Sequence, residues 1–262
     1  MTHKAHVLVT NDDGIHSGFL HCLVEALQSK FKVSVAAPAT EQSWIGRAVS
    51  RNSEIAVKKD RRFFAEGVDA WSVNGTPTDC VNIALGNLLP KQPDIVVSGI
   101  NIGYNTTDTL ILSSGTVAGA IEGANWGLPA IAFSQYVPGS LFESIQQNDG
   151  YHEAFFADVL SHSARHAALL TEEILQAPPR SGTVVNVNFP QSVAVDTQIK
   201  ETVPAKITLG CLYEETASGV FKFKYSEGIV MDDAPHSDRA ALDQGHISRS
   251  LLDFSRIGVP NG

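Results

Sequence analysis

The chain is short of cysteine, of basic charge and of long apolar runs. Cys22, Cys80 and Cys211 are its three cysteines, odd in number and widely spaced, with no CxxC. That argues against a disulfide scaffold or a structural zinc site. No stretch approaches the ~18 uninterrupted apolar residues of a membrane span. Lys and Arg number 19 against 28 Asp and Glu, a net charge of −9. Such an acidic balance argues against a nucleic-acid polymer or an anionic membrane surface as partner. One small phosphate ligand still fits, because a bound cation reverses the local field. The opening Met1-Thr2-His3-Lys4-Ala5-His6 runs straight into a strand-like segment, so no signal peptide and a cytoplasmic location are expected. Several catalytic signatures are missing too. Without GxxxxGK[ST] or GxGxxG, a P-loop or a nicotinamide site is not indicated. Neither GxSxG nor HExxH occurs, which removes the serine-hydrolase elbow and the helical zinc protease.

What is present suits a large folded core. Hydrophobic residues make up 43% and charged residues 18% of 262 positions. That composition excludes a disordered chain and gives one large or two small domains. Residues 6–10 are apolar, β-branched and followed by a turn cluster, which predicts a buried strand. Leu20, Leu23, Val24 and Leu27 then recur at helical spacing, and residues 32–38 form a second strand stopped by Pro38. Further strands are expected at 94–100, 130–134 and 183–189, with helices at 78–89, 115–126 and 153–176. Strands alternating with helices predict a doubly wound, Rossmann-like α/β fold with a mostly parallel sheet over residues 1–196. Residues 51–75 carry Arg51, Lys58, Lys59, Arg61 and Arg62 between β-like flanks and read as a solvated hairpin. From 197 to 262 the pattern turns strand-rich, as in Val220-Phe221-Lys222-Phe223-Lys224-Tyr225, and suggests a β-rich C-terminal appendage.

In an open parallel sheet ligands bind beyond the carboxyl ends of the strands. Those ends supply Asn11-Asp12-Asp13-Gly14, then Thr40-Glu41-Gln42-Ser43, then Asn101, Gly103 and Asn105. All are rich in small oxygen-bearing side chains. Adjacent aspartates in a turn can swing toward one point, where they repel unless a cation or proton lies between them. A hard divalent ion, Mg²⁺ or Mn²⁺, fits Asp12, Asp13, a hydroxyl and an amide oxygen. The other reading of the pair is a cap on the helix that follows. Ser113-Ser114-Gly115-Thr116 opens a small-residue helix and reads either as an ordinary N-cap or as a phosphate cradle. The nine His are scattered, Cys22 and Cys80 fall in helical core patterns, and Asp232-Asp233 reads as a solvated loop.

These residues together resemble one known family. Val7-Leu8-Val9-Thr10-Asn11-Asp12-Asp13-Gly14-Ile15-His16-Ser17 looks like the opening signature of the survival protein SurE family. Ala37 to Ser43 with Gly46, Val73 to Val81, Pro93 to Asn105, Ser114 to Ala118 and Leu128 to Ala132 continue the likeness in order. Val185 to Asn188 and Gly245 to Ser248 are fainter echoes. Departures lie at Gly18-Phe19, at Thr106 to Thr109 and at Ser113, around the pocket and not among the ligands.

The resemblance implies a divalent-metal-dependent phosphatase acting on nucleoside 5′- and 3′-monophosphates, with exopolyphosphatase activity in some relatives. It carries the metal ligands onto Asp12, Asp13, Ser43 and Asn101. Amides of Ser114, Gly115 and Thr116 would hold phosphoryl oxygens, Asn11 and Asn105 would donate to the phosphate, and Asp12 would double as acid or base. It also implies a homodimer or homotetramer assembled through the C-terminal part. Two alternatives stand beside it. A phosphatase with an aspartyl nucleophile needs DxD, where this chain has Asn11 and Asp13. A non-catalytic nucleotide-binding module would bind through the same loops without releasing phosphate.

Overall fold

The structure is a computed structural model and describes residues 4–151, 154–225, 228–232 and 234–256. The first apolar run forms β1 (His6–Thr10), buried throughout. It is followed by α1 (Gly18–Gln28) and β2 (Lys32–Pro38). Then come β3 (Val57–Lys59), β4 (Asp69–Val73) and α2 (Pro77–Ile83), which runs into a π-helical turn at Ala84–Leu88. The central part is β5 (Ile95–Ile102), α3 (Asp108–Ser113), α4 (Gly115–Asn125) and β6 (Ala130–Gln135). Next are α5 (Gly139–Gln147), α6 (Ala154–Gln176) and β7 (Thr183–Phe189). The remainder is β8 (Ile199–Thr202), β9 (Lys206–Thr208), β10 (Tyr213–Ala217), β11 (Val220–Phe223), β12 (Ile229–Asp232), α7 (Asp238–Asp243) and β13 (Ile247–Asp253).

A nine-stranded sheet orders them β3-β4-β2-β1-β5-β6-β7-β13-β8. The strands from β4 to β7 are mutually parallel, while β3 and β13 run antiparallel to β4 and β7. Period-two alternation sends successive residues to opposite faces. Val7, Val9, Val97, Phe133 and Val187 pack with α1 and α6 on one side. Leu8, Ala36 and Val96 meet α2 on the other, where Ala130, Ala132 and Val184 meet α4. The mostly parallel, doubly wound α/β sheet read from the sequence is therefore the one observed.

Small residues let α4 lie hard against the sheet. A Cβ on Gly119 would sit 2.8 Å from Thr10 Cγ2, and one on Gly123 would sit 2.6 Å from Val96. Thr76 starts α2 by accepting from Asp79 N, while Asp79 accepts from Thr76 N, a reciprocal capping box.

Two expectations change in detail. The charged 51–75 segment is a hairpin with exposed Lys58, Lys59, Arg61 and Arg62, yet its second strand, β4, lies inside the sheet with Ala70, Trp71 and Val73 buried. The strand-rich region after 197 divides in two. β13 and β8 extend the main sheet, and only β9 to β12 form separate two-stranded ribbons. Asp232 ends β12 opposite Lys206, and Asp233 lies outside the described residues. Cys80 is buried, Cys22 half-buried and Cys211 exposed, all with free thiols. Among the described residues no helix is long and apolar enough to cross a membrane.

Candidate active site

The sheet order reverses at β1: the chain goes to β2 on one side and reaches β5 on the other. Crevices form at such switch points, beyond the strand carboxyl ends. Thr10 pairs with Ser98, so the loop after β1 faces the end of β5 across one strand spacing. The turn after β2 closes over both, with Gln42 N donating to Asp12 O at 2.7 Å and Ile15 N to Pro38 O at 2.8 Å. Asp12, Ser43, Asn101, Asn105 and Ser114 all line one cavity of about 810 Å³.

Asp12 is the anchor of this floor. It is 3% exposed, and its Oδ1 accepts from Thr116 Oγ1 at 2.5 Å. The Thr116 backbone N–H donates to the same carboxylate. The Asp12 side chain therefore caps the N-terminus of α4, where a negative charge is favoured. It does not cap α1, the helix next in sequence, which has no side-chain cap and no acidic residue in its first turn. Asp13 turns its Oδ2 to Ile102 N at 3.0 Å. Burial pushes Asp12 up to about 6 against the donors from Thr116. Burial, then the neighbouring Asp12 charge, holds Asp13 well above the carboxylate range.

The neutral candidates, Ser43 and Asn101, are oriented by their neighbours. Ser43 Oγ donates to Glu41 Oε1 at 2.6 Å, which leaves the hydroxyl lone pairs unspent. Gln146 of α5 donates to the same Glu41 oxygen at 2.8 Å. Asn101 Nδ2 donates to Gly103 O at 3.0 Å, leaving its amide oxygen to accept or to ligate. No group of three His, Cys, Asp or Glu suited to a metal occurs among the described residues. The donor set here is two carboxylates with a hydroxyl and an amide oxygen, the all-oxygen chemistry that suits a hard dication. Burial raises both carboxylates and the Asp12 charge raises Asp13 further, so a dication beside them would be favoured. The residues fit the ion.

The other expected residues divide. Asn105 lines the cavity and is held rigidly, its N–H on Asn188 Oδ1 at 2.7 Å and its Nδ2 on Ser134 Oγ at 2.8 Å. Asn186 Nδ2 donates to its carbonyl at 2.8 Å. Asn11 is fully buried and spends Nδ2 on Gly14 O at 3.0 Å, while its Oδ1 has no partner. At the helix end Ser114 Oγ accepts from Val117 N at 3.0 Å, and Thr116 serves Asp12. Ser114 keeps a hydroxyl proton for a ligand, and the Gly115 amide is the other donor at this end.

Sequence reasoning missed several residues. Thr116 as the holder of Asp12 is separated from it by 104 positions. Glu41 stood in the ligand loop and could have been suspected as a partner for Ser43. The cavity is also walled by Trp44, Tyr104, Tyr136, Phe142, Phe223 and Tyr225, an aromatic side that no local spacing announced.

A pH prediction follows from the raised carboxylates. Without metal both are easier to protonate in the folded than in the unfolded chain. The contribution of Asp12 to stability is complete below about pH 4 and is lost as pH rises through about 6, and that of Asp13 falls with rising pH in the same sense. A dication needs both ionised, so its stabilisation is largest at pH 7 and above and shrinks below about 6. Melting with chelator against saturating Mn²⁺, at pH 5 and 7.5, should show a Tm gain mainly at the higher pH. Equal gains at both would contradict it.

Comparisons with known proteins identify the family. A family model described as Survival protein SurE matches residues 7–210. A protein of Maridesulfovibrio salexigens named 5′-nucleotidase SurE is 36% identical over 254 residues, covering 95% of this chain and 92% of its own. Another of that name, from Methanosarcina barkeri, is 32% identical over 265 residues and 96% of each chain. The crystal structure of the SurE protein from Aquifex aeolicus aligns with a TM-score of 0.73 at 25% identity, over 98% of this chain and 95% of that one. With a family match over residues 7–210 and relatives this similar along nearly their whole length, the chain belongs to the survival protein SurE family.

Proposed function

We propose that this chain is a divalent-metal-dependent phosphomonoesterase that hydrolyses nucleoside 5′- and 3′-monophosphates to nucleoside and phosphate. The observation that carries the reading is the convergence of Asp12, Ser43, Asn101, Asn105 and Ser114 on one cavity, with Asp13 adjoining Asp12. Relatives named 5′-nucleotidase supply the reaction class. Asp12, Asp13, Ser43 and Asn101 would hold Mg²⁺ or Mn²⁺. Such an ion supplies Lewis acidity toward a phosphoryl oxygen and toward the attacking water.

Phosphate monoesters need accelerations up to ~10²¹-fold, and one general base gives only ~10²–10⁴-fold. Positioning and charge stabilisation must therefore dominate. Asn105 is fixed by Ser134 and Asn188 before substrate arrives, so its remaining amide hydrogen meets a phosphoryl oxygen without reorganising. The Ser114 hydroxyl and the Gly115 amide are placed for the others. Asn11 is a positioning residue, holding the loop that carries both aspartates. Asp12, fixed through Oδ1 by Thr116, keeps its second oxygen to take the proton of the attacking water.

Residues 1–196 form the catalytic core in this reading, and residues 197–262 serve assembly into a homodimer or homotetramer while lending Phe223 and Tyr225 to the cavity wall. Exposed Tyr213, Val220 and Phe221 on the β10–β11 ribbon give that extension an apolar surface.

The test is phosphate release from 5′- and 3′-monophosphates and short polyphosphate, with Mg²⁺ or Mn²⁺ and after chelation. Release that falls at least ~10²-fold on chelation and returns with added ion is expected. Binding without release would identify a non-catalytic module, and a trapped phospho-enzyme would favour an aspartyl nucleophile.

A further inference from the structure

The oxygen-rich floor explains only part of the cavity. Its volume of about 810 Å³ far exceeds the room a phosphoryl group needs. One whole side is aromatic, and aromatic faces do not bind phosphate.

Trp44 is the most unusual part of that side. It directly follows the ligand loop's Ser43 and has φ +60°, in the left-handed region that a bulky residue seldom adopts. Conformations of this kind persist where the surroundings enforce them and cluster at ligand clamps. Its ring lies 5.1 Å from that of Phe223 and 5.9 Å from that of Tyr225. Phe223 ends β11 and Tyr225 follows it, so the β10–β11 ribbon reaches back over the sheet rim to meet the turn after β2. Tyr104 continues the wall, with its hydroxyl 3.1 Å from that of Tyr225 and its ring packed edge-on against Tyr136 at 4.9 Å. Trp44 is still 38% exposed and Phe223 41%, so their faces are open to a ligand entering above the metal loops.

A flat apolar group joined to a phosphate matches this pairing of an aromatic wall with an oxygen floor. Every nucleobase has a π-face, and stacking on aromatic side chains is the common way to hold one without reading its edge. We propose that Trp44, with Phe223 and Tyr225, is the specificity-determining clamp of this site. It stacks the base and so selects nucleoside monophosphates over phosphomonoesters of a sugar alone. The proposal deepens the phosphomonoesterase reading and rests on it for the reaction, but the clamp and the chemistry fail separately.

Two measurements test it on the full-length chain. The first is the ratio of kcat/KM for adenosine 5′-monophosphate over ribose 5-phosphate with Mn²⁺. Trp44→Gly should lower that ratio about tenfold, the scale of one stacked base, and Trp44→Phe should keep most of it. Trp44→Gly relaxes the positive φ, so its melting temperature should not fall and a folding defect is separable. The second is binding of adenosine alone, with neither phosphate nor metal, followed by quenching of indole fluorescence. The wild type should be quenched and Trp44→Phe should not, while Phe223→Ala should weaken the binding. A ratio unchanged within about twofold in Trp44→Gly, or no quenching of the wild type by adenosine, overturns the clamp. Quenching by adenosine in a protein that releases phosphate from neither ester supports the clamp and removes the phosphomonoesterase reading instead.

Discussion

Replacing Asp12 with Asn is expected to lower phosphate release from nucleoside monophosphates by at least about 10³-fold while leaving the metal-free fold as stable as before, or more so. The activity loss has two sources. One charged ligand of the dication disappears, and so does the oxygen proposed to take the proton of the attacking water. The stability effect has the opposite sign. A carboxyl lifted to about 6 by burial destabilises the metal-free fold at neutral pH. An amide of the same shape carries no such cost and still accepts from the Thr116 hydroxyl. Turnover and melting measured on the same preparations check both halves. Near-normal turnover, or a large drop in metal-free Tm, would contradict the assignment.

Gly115→Ala is the second large effect, expected at about 10²-fold or more in kcat with a modest loss of stability. A Cβ here would lie 2.8 Å from Asp12 Cβ, 2.9 Å from its Oδ2 and 3.1 Å from Ile45. The backbone conformation tolerates Ala, and Ala is the better helix former by up to ~1 kcal/mol. That gain offsets part of the ~1–3 kcal/mol cost of overpacking. The site has no such compensation, because displacing a reacting group by about 1 Å costs about 10²-fold. Mn²⁺ affinity should weaken together with kcat. A variant that keeps full activity would show that Asp12 moves freely without consequence.

Much of this was legible because it is local. Five apolar strands, the helix after β1 and the small-residue helix α4 follow from periodicity and turn chemistry within a dozen residues each. The three loops that line the cavity were legible by a rule of topology, since each follows a strand end where a parallel sheet opens. Other features depend on long-range pairing that no local spacing encodes. β13 inserts between β7 and β8 through register fixed only in the folded sheet. The Asp pair was read as a metal site or as a cap for the next helix. The helix its first member caps is α4 and not the next one, brought near because Gly115 and Gly119 let α4 approach. Phe223 and Tyr225 were visible as an alternating strand pattern. Their meeting with Trp44 required the ribbon to fold back over the rim. The short helices α3 and α5 were missed, being six and nine residues long without a long apolar stripe.

The most direct measurement is anomalous X-ray scattering from crystals of this chain grown with Mn²⁺. A single strong manganese peak within ligand distance of Asp12, Asp13, Ser43 and Asn101 is the result expected. Full Mn²⁺-dependent activity with no peak at that corner, or a peak held by other side chains, would contradict the account.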